Sequence, residues 1–571
     1  KIFISKLLIN LKKGGEFMTL LFKTFLGMIA LVFSFQSMAN DWSWYHGDDG
    51  GTRYSTLDQI NKSNIGDLNV AWIHQPGAIE QGLEATPVVI DGVMYYAGSY
   101  NRTFAIDAAT GKELWHYFPD LDPIVDELFF TPYTRGVTVS NGNVTMGTLD
   151  GRAIALDQKT GKEVWSVQLV DTTSCACNFT SPPVMAGDTL VYGQTAGEYP
   201  IQGKIFGLDP KTGESKWVFN TIKDDPDSWG GDSGKYGGGG AWMPGTYDAS
   251  TDTYFVGTSN PAPDYDWGAT PDGIATDGAR PGDNLYTSSV IAMDPSTGKI
   301  KWYHQEIPHD DWDFDSAMGE FWLLDRDNKQ LVVHQNKSGF VFVYNRGDGQ
   351  IENIWPMNEN YNWVKSINPK TGELIGRNPP NMAENQDMLS CPWIAGGRSW
   401  QSGSYSPRTG LWYNSAAEAC QITTVRKEDP VTEPIAQLFF GADLAAADLP
   451  NGKKAHGRLD ARDPVSGERA WAYTYKYPPL GSVVATAGDL VFQGGIDGTF
   501  RAFDANNGDV LWSFTAGSGF RGGPVSYNAN GQQYITVPSG LGSLVMGLFP
   551  TLWPEVADFP AGAAMIAFTL K

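Results

Sequence analysis

The chain has 571 residues, of which 41% are hydrophobic and 18% charged, which excludes a disordered chain and supplies apolar surface for a sizeable core. Its 66 glycines, 20 tryptophans and 24 tyrosines predict many tight turns and aromatic packing positions, and exclude a helical bundle or coiled coil. A formal net charge of −23 repels phosphate backbones, so no nucleic acid is expected; a basic partner such as a cationic electron carrier stays open.

Residues 1–39 read as processing sequence rather than fold. Residues 1–17 read as translated upstream sequence. From Met18 the chain runs MTLLFKTFLGMIALVFSFQSMA: Lys23 is the positive flank, an apolar run follows over 25–35, and Ser37-Met38-Ala39 has the form of a cleavage site. This predicts a secretory signal over 18–39, too short for a spanning helix, and hence no stable membrane insertion. The mature chain, 40–571, is then expected in the periplasm, where disulfides are permitted. Cys391 and Cys420, 29 apart, suit a loop-closing bridge. Cys175-Ala-Cys177 has no second pair to complete a zinc site, and no C-x-x-C-H is present for covalent haem.

Along the rest of the chain one pattern recurs: Asp, Gly four residues on, Trp four beyond that. It runs through Asp107-Gly111-Trp115, Asp157-Gly161-Trp165, Asp209-Gly213-Trp217, Asp294-Gly298-Trp302, Asp463-Gly467-Trp471 and Asp504-Gly508-Trp512. Each copy predicts an apolar strand, a tight turn and a second strand. The Asp bonds into its own turn, the Gly supplies positive φ, and the Trp packs between neighbouring units. Adjacent clear copies lie 41 to 52 residues apart, the length of a four-stranded propeller blade. VYNRGDGQIENIW (343–355) is a degenerate copy, and LNVAW (68–72) is the last part of a blade completed from the other terminus. The sum is an all-β chain, one eight-bladed β-propeller with tryptophan-docking repeats over 40–571.

These repeats, the opening DWSWYHGDDGGTRYS (41–55) and the late ATAGDLVFQGGIDGTFRAFD (485–504) resemble the quinoprotein alcohol dehydrogenases of the methanol and ethanol dehydrogenase family, soluble type without a haem domain. That resemblance implies pyrroloquinoline quinone (PQQ) on the propeller axis with one metal ion, a lanthanide or Ca²⁺, beside it. In QTAGEYPIQG, Glu198 matches the family's metal-binding Glu; in VGTSNPAPDYDW, Asn260 matches its metal-binding Asn. In PHDDWDFDSA, Asp313 matches the catalytic base, which also faces the metal, and Asp310 and Asp311 are its competitors. Asp315 stands where the lanthanide-using branch carries an extra Asp. In an extended segment it would point to the same side as Asp313 and reach the same cation. Trp242 resembles the floor under the quinone. Arg135 and Lys337 resemble its cationic contacts, while Glu84, Thr180, Thr195 and Trp400 match further cofactor contacts.

Four positions depart from the family. Phe129 and Phe130 replace an adjacent-cysteine disulfide above the quinone, Ser399 replaces a common Asn, and Leu480 a common Trp. These changes point away from methanol and toward a bulkier or secondary alcohol. The expected reaction has Asp313 taking the hydroxyl proton while hydride moves to the quinone, with a soluble cytochrome c as acceptor; a homodimer stays open. The alternatives are a sugar or polyol dehydrogenase of the same superfamily and a non-enzymatic propeller scaffold. The scaffold would not need Glu198, Asn260, Asp313 and Lys337 at these spacings.

Overall fold

The computed structural model describes residues 41–571 other than 196, 271–277 and 381–386, so the two expected N-terminal segments lie outside the described residues. Each Asp-to-Gly turn joins two antiparallel strands, as in Arg102–Asp107 with Glu113–Tyr117. The turn is built locally. Asp107 Oδ1 accepts from the N–H groups of Ala109 and Thr110 and from the Thr110 hydroxyl, at 2.8–3.1 Å. Gly111, at φ +71°, donates its N–H back to the Asp107 carbonyl.

The same glycine couples one unit to the next. A Cβ on Gly161 would stand 2.6 Å from the Trp115 ring, so the indole of one unit lies directly on the bare glycine of its neighbour. The Trp115 N–H then donates to the Gln158 carbonyl, three residues before that glycine, at 3.1 Å. Trp72 on Gly111, Trp217 on Gly298, Trp302 on Gly349, Trp355 on Gly467 and Trp471 on Gly508 repeat both contacts. Trp165 lies on Gly213 through its ring alone, and Trp512 rests instead against Phe568.

Among the described residues the strands form seven four-stranded sheets and one five-stranded sheet, with a two- and a three-stranded excursion. Most of the larger sheets are meanders, as in Val88–Ile90, Val93–Gly98, Arg102–Asp107 and Glu113–Tyr117. One sheet joins the two ends of the described chain: Leu68–His74 pairs with Ala564–Leu570, which continues into Gln532–Ser539 and Val525–Ala529. LNVAW therefore is a strand completed from the other end, and 343–355 is a hairpin turn as expected. The long gap between the Asp294 and Asp463 copies, which leaves room for insertions, holds both excursions. Asn368–Gly372 repeats the turn chemistry with Asn for Asp and no Trp, between Ser366–Ile367 and Leu374–Ile375. Met388–Ser390, Cys420–Val425 and Ala442–Ala447 make the three-stranded sheet, where Cys391, just after the first strand, bonds Cys420 at the start of the middle one.

The meander decides where side chains can meet. First strands and second strands run in opposite directions, so the segment before a first strand and the segment after a second strand lie at the same end of the sheets. The Asp–Gly–Trp turns, between third and fourth strands, lie at the other end. No helix among the described residues is long and apolar enough to cross a membrane.

Candidate active site

Every residue singled out in the sequence falls at that common end. Glu84, Arg135, Thr180, Trp242, Asp313, Asp315 and Trp400 precede first strands; Thr195, Glu198, Asn260 and Lys337 follow second strands. They converge on one cavity of about 590 Å³, which all of them line except Asn260, which is buried and donates its N–H to Asp315.

The glycine run 237–240 brings the acidic loops together. Gly239 donates to the Asn260 carbonyl, Gly238 to Ile201, and Ser259 donates to Gly240. A Cβ on Gly238 would stand 2.3 Å from the Gly197 carbonyl, and one on Gly197 would stand 2.4 Å from Asn260 Oδ1. Only bare glycines let the Glu198 loop close on Asn260. Carboxylate oxygens of Glu198, Asp264 and Asp313 then lie within 4.8 Å of one another. Two oxygens bound to one hard cation at 2.3–2.6 Å are at most about 5 Å apart, so this spacing fits a single ion. Asn260 Oδ1 and Asp264 Oδ2 are buried without a hydrogen-bond partner and are available as ligand atoms.

Asp313 and Asp315 do converge, but not by strand alternation. Asp313 has φ +60°, outside the extended region. Lys337 Nζ joins the two carboxylates, 2.8 Å from Asp313 Oδ1 and 3.0 Å from Asp315 Oδ2. Asp315 Oδ1 accepts the Asn260 N–H at 2.7 Å. The crowding shows in the titrations. Burial, then the charge of Asp315, pushes Glu198 up to about 7 against the pull of Lys337. Burial lifts Asp313 well above the usual carboxylate range; Lys337 opposes this, and Asp315 and Glu198 add to it. Asp264 is raised by burial and then by Asp313 and Glu198. Lys337 is disfavoured as an ammonium by burial, yet its three carboxylate neighbours hold its proton on more firmly than usual. Without a cation these carboxylates drive one another to protonate, so the donor set fits a hard metal ion.

Beside the acids lies a cationic and aromatic half. The Arg135 guanidinium sits between two indoles, 5.1 Å from Trp242 and 4.9 Å from Trp400. It pairs with Glu84 Oε2 at 3.1 Å and donates to Thr180 Oγ1 at 2.8 Å. Glu84 also pairs with the buried Arg521, whose guanidinium likewise lies 4.9 Å from the Trp400 ring. Thr195 is tied to Asn178. Arg135 Nε lacks a hydrogen-bond partner, so a polyanionic, planar ligand would find flat faces, a cation and an unsatisfied donor here.

Asp310 and Asp311 are engaged elsewhere. Asp310 accepts from Ser288 Oγ and from the N–H groups of Trp312 and Phe314; Asp311 pairs with Arg280 and Arg377. Phe129 and Phe130 line the cavity, packed edge to face at 5.0 Å, with Phe130 against Tyr199. Cys175 and Cys177 are bonded to each other, and the intervening Ala176 packs with Leu128 and Tyr199 behind these phenylalanines. Ser399 lines the cavity, whereas Leu480 packs with Ile496 and Leu541. The sequence reading passed over Asp264 and Arg521. Asp264 had one signal, an acid four residues after Asn260 in a proline-rich stretch; Arg521 had none.

The chain matches the family model for the PQQ β-propeller domain of glucose, ethanol and alcohol dehydrogenases over residues 42–374 and 441–535. It is similar to the quinoprotein alcohol dehydrogenase PedH of Pseudomonas putida, 33% identical over 558 residues, covering 91% of this chain and 89% of the relative. It is also similar to the quinoprotein ethanol dehydrogenase of Pseudomonas aeruginosa, 34% identical, covering 89% of this chain and 86% of the relative. Among solved structures it resembles the quinohemoprotein alcohol dehydrogenase ADHIIG of Pseudomonas putida HK5, with a TM-score of 0.85 and 30% identity, covering 93% of this chain and 80% of the other. A europium-containing methanol dehydrogenase gives a TM-score of 0.85 at 27% identity, covering 94% and 99%.

Proposed function

This chain belongs to the family of PQQ-dependent (quinoprotein) alcohol dehydrogenases, and from that premise we propose that it oxidises a bulkier or secondary alcohol to the aldehyde or ketone. The observation that carries the reading is the meeting of the carboxylate cluster, Lys337 and the Arg135–indole stack on one cavity. Glu198, Asn260, Asp313 and Asp315 would hold the metal ion. Arg135, Lys337, Glu84, Thr180 and Thr195 would hold the polar rim of PQQ, and Trp242 and Trp400 its flat face. When bound, PQQ supplies the hydride acceptor and the metal ion the Lewis acid beside it.

The chain's own part is proton transfer, orientation and exclusion of water. Lys337 occupies Asp313 Oδ1, which leaves Oδ2 to accept the proton of the alcohol hydroxyl. Burial raises the proton affinity of Asp313 and Lys337 opposes that rise, which suits the carboxylate to take up a proton. Leu438, Phe440, Leu444, Val545 and Leu548 give the cavity an apolar lip, which sheds water and favours an alcohol with a hydrophobic body. We read the eight larger sheets as eight blades of one propeller over 40–571. We place the mature protein in the periplasm after loss of 18–39, with a soluble cytochrome c as electron acceptor.

The test is dye-linked oxidation by metal-stripped protein given PQQ with La³⁺ or with Ca²⁺, over primary, secondary and polyol substrates. Turnover that needs both PQQ and metal, and favours longer or secondary alcohols over methanol, is the expected result. No PQQ bound and no turnover with either ion would overturn the reading. Turnover confined to methanol and ethanol would overturn the substrate class.

A further inference from the structure

Asp264 is fully buried, and the roles proposed above leave it without a task. Its Oδ1 accepts from Asn260 Nδ2 at 2.9 Å, which aims the side chain at the acidic cluster and turns Asn260 Oδ1 the same way. Its Oδ2 has no hydrogen-bond partner, and neither does Asn260 Oδ1. The nearby Arg280 does not neutralise it: that guanidinium is spent on the carbonyls of Pro263, Asp264 and Asp310, on Asn284 and on Asp311. A buried carboxylate oxygen with no donor is disfavoured in its ionised form, and a nearby cation offsets that penalty.

Geometry supplies the place for one. Asp264, Glu198 and Asp313 are the carboxylates whose oxygens fall within 4.8 Å of one another, while Asp315 has one oxygen on the Asn260 N–H and the other facing Lys337. Asp264 is therefore better placed to bind directly than Asp315, the residue the resemblance singles out. Counted together, the four carboxylates and the Lys337 ammonium leave three negative charges, which a trivalent ion balances and a divalent ion does not.

We infer that Asp264 is a direct carboxylate ligand of the metal ion, and that it shifts this site's preference from divalent toward trivalent cations. The inference rests on the metal-dependent reading above. The test compares PQQ-loaded wild type with Asp264→Asn, an isosteric change that keeps an oxygen for Asn260. Affinities for Eu³⁺ and Ca²⁺ are measured by chelator competition, and the waters on Eu³⁺ are counted from luminescence lifetimes in H₂O and D₂O. Asp264→Asn should weaken Eu³⁺ binding by on the order of tenfold or more. It should weaken Ca²⁺ binding less, and admit one more water to the ion. Asp264→Ser, which removes the charge but can still accept from Asn260, should do the same and stands in if the first variant does not fold. Unchanged Eu³⁺ affinity and hydration would overturn the inference and make Asp264 a neutral hydrogen-bonding residue. Equal weakening of both ions with no added water would overturn it as well, since that is a structural effect. Wild type that binds neither ion would overturn the metal-dependent reading itself.

Discussion

Asp313 holds a left-handed backbone, φ +60°, that costs a residue with a side chain about 1–3 kcal/mol and is kept only where the surroundings over-determine it. Here Lys337 and the wall built by Asp310 and Asp311 do so, and the result is one free oxygen, Oδ2, on the cavity. Asp313→Asn keeps that shape and removes the proposed base, so kcat should fall by ~10²–10⁴-fold with PQQ retained. Stopped-flow reduction of the bound quinone measures it; a kcat within threefold of wild type would remove Asp313 from the proton step. A second residue reports on stability. His46 is fully buried, and burial, reinforced by Arg53, lowers its pKa to about 3 against the opposing backbone groups of Gly319 and Pro244. The folded state thus binds fewer protons than the unfolded state between about 6.5 and about 3. The stability this contributes is complete above pH 6.5 and lost as pH falls toward 3. His46→Gln should therefore lose less of its urea midpoint between pH 7 and pH 4 than wild type does. Parallel slopes would show that His46 is not the titrating group. At this scale the sequence was only partly legible. Glu198 and Asp313 could be placed because their neighbours in the chain are distinctive. The use of Asp264 and Arg521 is set by loops that meet from separate sheets, and no local pattern records that meeting. The alternation argument for Asp315 failed because one φ at Asp313 breaks the extended backbone on which it depends.

The repeating element was legible almost completely, because its chemistry is local. Asp, Gly and Trp at fixed offsets determine a turn, a positive φ and a docking indole within nine residues. What the pattern did not show is that the glycine serves twice, as a turn residue and as the bare surface under the neighbour's indole. Two glycines separate these roles. Gly142, at φ +79°, has open space around its absent Cβ, whereas Gly161, at φ +68°, has the Trp115 ring 2.6 Å away. Gly142→Ala should cost about 1–2 kcal/mol, the left-handed penalty alone. Gly161→Ala should cost that and about 1–3 kcal/mol more for the displaced indole. Urea midpoints of the two variants decide it, and equal losses would mean that the docking contact does not couple the sheets. The excursions over 366–375 and 388–447 were legible only as room for insertions between Asp294 and Asp463, because Asn368 and the absence of a Trp hide the first, and the second has no repeat chemistry at all.

Across the whole molecule, the two ends of the described chain are tied by Leu68–His74 on Ala564–Leu570, and the disulfide Cys391–Cys420 fixes the excursion that forms part of the cavity wall. The cavity end is therefore tied by a disulfide in a chain of strongly acidic composition. That combination has a kinetic consequence. A formal charge of −23 attracts a basic cytochrome c over roughly one Debye length, ~8 Å at physiological ionic strength, and the attraction vanishes as salt shortens that length. The chemical step lies inside the cavity, where buried groups are shielded from salt. Turnover with a basic cytochrome c should therefore fall by about tenfold or more between low and high ionic strength, as steered encounters do. Turnover with a small uncharged dye should barely change. A matched response of both acceptors would place the salt effect on the catalytic site rather than on docking. A flat response of both would mean that the acidic surface serves solubility and does not steer the electron acceptor.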